Sequence, residues 1–108
     1  MNYNRAIIVG NVTKDPEVRT LPAGTKVASF GIATNRHYTQ NGEKKQDAEF
    51  HNIVLFGKLA DTAASYVTKG SILLVEGRIQ TRTWEKDEMK HYRTEIIGDS
   101  IQLGPKKA

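Results

Sequence analysis

The sequence predicts an all-β fold, a small five-stranded Greek-key barrel with one short helix between the third and fourth strands. Three observations carry this. Short segments rich in β-branched and aromatic residues are separated by Gly, Pro and Asn-Gly punctuation. Only one stretch, Lys58 to Lys69, switches to helical spacing. The 108 residues contain no cysteine and suffice for one core, so neither disulfides nor a thiolate-bound metal is needed to hold it together.

The first strand is "NRAIIVGNV", Asn4 to Val12, which ends in a Gly-Asn pair followed by the turn signal "TKDP". "EVRT" reads as its continuation beyond a kink, and "LPAG" as a second turn. In the second strand, "KVASFGIATN", Ala28, Phe30 and Ile32 alternate with Ser29, Gly31 and Ala33, which makes Phe30 a core residue. "RHYTQNGEKKQD" is a polar connection with Asn-Gly at its tip. The third strand, "AEFHNIVLFGK", sets His51, Ile53 and Leu55 against Phe50, Asn52, Val54 and Phe56. In the helix, Leu59, Ala63, Tyr66 and Val67 form one stripe, with Lys69-Gly70 as the stop. "SILLVEGRIQTRTWEK" is a long fourth strand, "DEMKH" a charged turn, and "YRTEIIGDSIQL" a fifth strand bending at Gly98. This order of elements is that of the OB-fold. One domain is expected over residues 1–104, with 105–108 as a frayed end.

Sixteen Lys and Arg against twelve Asp and Glu give a formal charge of +4, a mild basicity whose distribution must decide its meaning. No apolar run approaches the roughly 20 residues of a spanning helix, and the N-terminus does not resemble a leader peptide, so a soluble protein without a membrane partner is expected. His37, His51 and His91 lie in different elements without metal-ligand spacing, and the carboxylates are scattered beside lysines. Neither a catalytic constellation nor a metal or cofactor site is expected.

The aromatic residues are more informative. In "GRIQTRTWEK", Arg78, Gln80, Arg82 and Trp84 share one face of the strand, whereas Ile79 lies with Leu73 and Val75 on the barrel side. A large ring among polar neighbours on a strand is a platform for a nucleic-acid base, because every base has a π-face. Trp84, Phe50, Phe56 and Tyr38 qualify. Each also has a structural reading: Phe56 could plug the barrel end, Tyr38 could anchor a loop, and a bulge near Thr81 would turn Trp84 inward. Arg19, Arg36, Lys58, Lys69, Arg78 and Arg82 lie on or beside the same strands, where they could track a phosphate backbone. A basic groove interleaved with rings suits single strands, whereas duplex readers offer a helix to the major groove.

The blocks "IIVGNVTKDPEVR", "EFHNIVLFGKLADTAASYVTKGS" and "VEGRIQTRTW" resemble, in the same order, those of the bacterial and mitochondrial single-stranded DNA-binding proteins. The resemblance spans roughly Asn4 to Leu103. It implies an OB-fold that assembles into a homotetramer and wraps single-stranded DNA, protecting it in DNA replication, recombination and repair. It places the stacking rings at Tyr38, Phe50, Phe56 and Trp84, the first two standing where the best-known members have tryptophan. The family's basic contacts fall on Arg5, Arg19, Lys58, Lys69 and Arg82, while Asn52 replaces an arginine of some members, and His51 is placed at a subunit interface. A cytoplasmic protein of the bacterial nucleoid is implied rather than one of the mitochondrial matrix. The family's acidic tail, which recruits replication and repair proteins, has no counterpart in these residues. Two other readings remain: an OB-type interaction subunit of the replication machinery, and an RNA-binding OB module.

Overall fold

The computed structural model describes residues 1–105. Its elements are β1 (Ala6–Val12), β2 (Glu17–Thr20), β3 (Lys26–Gln40), β4 (Glu43–Phe56), α1 (Lys58–Tyr66), β5 (Ile72–Lys86) and β6 (Met89–Leu103). The sheet runs β1-β5-β6-β4-β3-β2, and a further pairing of β1 with β3 closes β1, β5, β6, β4 and β3 into a five-stranded barrel. Strands β4 and β6 pair in parallel, Ile53 with Ile96 and Val54 with Ile97, and the other pairings are antiparallel. The expected kink is present: β2 runs on along the edge of β3 that β1 leaves, Val12 pairing with Ile32 and Glu17 with Ser29. The frayed end expected at 105–108 lies, apart from Pro105, outside the described residues.

The barrel is filled by the inward residues of the alternating strands, Phe30, Ile32, Ile53, Leu55, Leu73, Val75 and Ile96 among them. Helix α1 covers one end of this core with Ala60 and Ala63, and Val67 at its C-cap is buried with them. The expected stripe is corrected at one position, because Tyr66 is 66% exposed and Ala60 packs in its place. The helix also stops at Tyr66, before Lys69, with Val67 already extended.

Two hairpins outrun the expected strands. β3 and β4 pair without interruption from Val27↔Phe56 to Gln40↔Glu43, so the polar connection is itself strand, closed by Asn41-Gly42. Both turn residues have positive φ, the geometry that Asn-Gly favours. In the same way, "DEMKH" reduces to a two-residue turn at Asp87-Glu88, again with positive φ at both residues, and β6 begins at Met89. Between Glu76 and Gly77 the β5–β6 register shifts and leaves Asp99 unopposed, which is a β-bulge. A Cβ at Gly77 would collide with the Ile97 carbonyl, so the close crossing at the bulge requires glycine. Beyond the bulge β5 leaves the barrel and Ile79 goes with it, while β6 stays against β4 through Ile96 and Ile97 before the two strands run on together as an exposed wing. Ile79 keeps the parity of Leu73 and Val75 but is 48% exposed, so it is not a core residue.

Candidate nucleic-acid interface

From Gly77↔Gly98 to Lys86↔Met89 the wing is paired without a break, so no bulge intervenes near Thr81. Arg78, Gln80, Arg82 and Trp84 therefore emerge on one face, as alternation requires. On β4, Phe50, Asn52, Val54 and Phe56 likewise face away from the core that holds Ile53 and Leu55. Phe56 is 43% exposed and Phe50 more so, hence neither plugs the barrel.

These two outer faces meet in a groove of about 220 Å³. Its apolar floor is Val27, Val54 and Ile97, a small second cluster with Leu21 against it. Phe56 stands on one side, and Arg19, Arg78, Gln80 and Arg82 line the rest. Trp84 continues the line of β5 outward, with the guanidinium carbon of Arg82 5.7 Å from its ring centroid. Flat rings and cations thus alternate along one surface, with apolar atoms beneath them.

The groove holds a carboxylate that the sequence did not single out. Glu95 is 4% exposed. Its Oε1 accepts from Arg82 Nε at 2.7 Å and its Oε2 from an Arg82 terminal nitrogen at 3.1 Å, while Arg93 Nε lies 3.4 Å from Oε2. Two guanidinium groups on one buried carboxylate leave a net positive charge, with the forks held in fixed orientation. Arg93 also donates to Asn52 Oδ1 at 3.1 Å, and Asn52 Nδ2 donates to the Thr94 carbonyl at 3.3 Å. Asn52 thereby ties Arg93 of β6 to the outer face of β4. The opposite charges at 82, 93 and 95 on predicted strands were a visible signal, but the bidentate geometry depends on the β5–β6 register.

Other expected site residues lie apart from the groove. Tyr38 and Arg36 belong to the opposite parity of the β3–β4 hairpin, with Arg36 stacked over the Tyr38 ring at 4.7 Å and 3.8 Å from Asp47. Lys58 opens α1 two residues beyond Phe56 and is exposed. Lys69 borders a separate hollow of about 630 Å³ with Tyr66, Ser71 and Leu103, and its backbone N–H donates to Asp15 at 2.8 Å. Arg5 is engaged by Glu76 at 2.7 Å and Asp99 at 2.9 Å. These bonds, Glu76 first, raise its pKa above the ordinary value and offset its charge within the protein. His51 is half-buried, its Nε2 2.9 Å from Thr34 Oγ1.

A small OB barrel whose outer face carries a basic, ring-lined groove defines a class, the single-strand nucleic-acid binders. Within that class, a model described as the single-strand binding protein family matches residues 3–104, and the chain belongs to this family. It is 48% identical over 107 residues to the Staphylococcus aureus (strain Mu50) single-stranded DNA-binding protein 1, covering 97% of this chain and 68% of that protein. A second protein of that strain, single-stranded DNA-binding protein 2, is 45% identical over 105 residues, covering 95% of this chain and 74% of that protein. Among solved structures, a Plasmodium falciparum SSB complex with ssDNA is similar with a TM-score of 0.91 and 28% identity, over 97% of each chain.

Proposed function

We propose that this protein binds single-stranded DNA independently of sequence and protects it during DNA replication, recombination and repair, as a binder and not an enzyme. The observation that carries this is the convergence of Phe56, Arg19, Arg78 and Arg82 on one groove, with Trp84 next along the same strand. Residues 1–104 act as one binding domain. Bases stack on Trp84, Phe50 and Phe56, while Arg19, Arg78 and Arg82, with Lys58 beside them, hold the phosphates. Tyr38 and Arg36 take a further stretch of the strand on the other face of the β3–β4 hairpin. Lys69 and the ion-paired Arg5 serve as outlying backbone contacts.

The partners are single-stranded DNA and further copies of this chain, assembled as a homotetramer with His51 at a subunit interface. The outward face of β1 supports assembly, since Ile7 and Val9 expose apolar side chains there. Bacterial relatives support action at the nucleoid in the cytoplasm. No helix among the described residues is long and apolar enough to cross a membrane. Competition between labelled oligo(dT) and matched RNA, duplex DNA and unlabelled single strands tests the reading. Only unlabelled single-stranded DNA should displace the label efficiently; preference for RNA or duplex would overturn it. Native mass with and without poly(dT) checks the tetramer.

A further inference from the structure

We propose that His91 is a further ring of the DNA-binding surface, bracing Trp84 and, when protonated, donating a hydrogen bond to a DNA phosphate. This rests on the single-strand-binding reading above and adds a residue and a proton to it. Trp84 and His91 are directly opposed across β5 and β6, in a part of the ladder whose register is regular, so both side chains leave the wing on the groove face. Their ring centroids are 5.6 Å apart and their planes are inclined by 18°, an offset-stacked pair. Stacking holds the indole in one orientation, yet Trp84 remains 42% exposed, which leaves ring surface for a base. His91 is half-buried. Unlike His51, which is bonded to Thr34, its ring makes no side-chain hydrogen bond among the described residues, so its nitrogens are available to a ligand.

The charges around it select the ligand. By strand alternation, Arg82 and Lys86 on β5 and Arg93 on β6 share the His91 face, while Glu85 and Lys90 occupy the other. The carboxylate further along that face, Glu95, is already held by Arg82 and Arg93, and the nearby β4 side chain, Asn52, is neutral and bonded to Arg93. An anion is therefore the group this surface attracts, and on a single strand that anion is a phosphate. A phosphate beside the imidazole favours its protonated form, so DNA and a proton bind cooperatively. Affinity accordingly rises on acidification, as the complex takes up that proton.

Oligo(dT) binding by wild type, His91→Phe, His91→Ala and Trp84→Ala, measured by anisotropy at about pH 8 and pH 5.5 over a series of salt concentrations, tests this. His91→Phe keeps a stacked ring without charge. It should match wild type at high pH but lack a gain in affinity of about tenfold on acidification, the lower end for a hydrogen bond to a charged group. At low pH its log–log salt slope should be shallower than that of wild type by about 0.7. His91→Ala, which loses the stacking partner too, should bind about threefold more weakly even at high pH. Comparison with wild type cancels any contribution of His37 and His51. A His91→Phe variant that retains the wild-type pH gain and salt slope overturns the proposal, as does a His91→Ala variant indistinguishable from wild type at both pH values. If Trp84→Ala also binds like wild type, the fault lies in the reading of the whole face; if it alone loses affinity, the fault is confined to His91.

Discussion

Strand β5 passes through two environments, and the bulge at Gly77 divides them, whereas on β6 burial continues as far as Glu95. On the barrel side, Leu73 and Val75 are fully buried between strands and helix, and alternation there coincides with a packed interior. On the wing, every β5 residue from Arg78 to Lys86 is exposed, although the same alternation continues and the backbone pairs as regularly. One half spends its side chains on a core; the other presents rings and cations to solvent. Core packing and the proposed binding surface are therefore separable along a single strand.

The largest expected effect belongs to the barrel half. Leu73→Ala removes a fully buried side chain and should lower unfolding free energy by about 2 to 5 kcal/mol, measured by urea denaturation. Arg82→Met lies on the boundary between the two roles. It leaves the buried Glu95 carboxylate to Arg93 alone, and should cost about 1 to 3 kcal/mol of stability in the same assay. It should also reduce the salt slope of oligo(dT) binding by about 0.7. A loss of binding without loss of stability would show that the Glu95 pairing contributes little to the fold. Trp84→Ala should weaken oligo(dT) binding by about 1 to 3 kcal/mol and leave the thermal midpoint in place; an unfolded variant would erase the division between the halves. The smallest effect is expected of Ile79→Thr, which has core parity but a wing position. Its stability should change by no more than about 0.5 kcal/mol, and a core-sized loss would move the boundary outward.

The contrast also explains which features were legible in the sequence. Where one face is buried, apolar alternation marks the strand, and Phe30, Leu73 and Val75 were readable from it; on β4 both faces carry bulk, so Ile53 and Leu55 were given a parity but not a side. Where neither face packs, as from Arg36 to Asp47, the ladder leaves no hydrophobic signature, and strand was taken for connection. Ile79 was placed with the core because period fixes the face and not the depth at which the barrel ends. Tyr66 illustrates the same limit on a helix, where the stripe was broad enough to admit a residue at its exposed margin. The outward exposure of the proposed stacking rings was readable where parity sufficed, at Trp84, Phe50 and Phe56. Tyr38 was named without its face, and Arg93 and Glu95 became meaningful only once the register set them beside Arg82 and Asn52.

The sole tryptophan of the chain lies on the wing, so its fluorescence reports the central claim directly. Titrating the wild-type protein with oligo(dT) at several salt concentrations should quench Trp84 in proportion to binding. The logarithm of the affinity should fall linearly with the logarithm of salt, by about 0.7 for each phosphate neutralised. Binding that leaves the tryptophan emission unchanged, or that is indifferent to salt, would contradict a surface built from stacked bases and backbone charge.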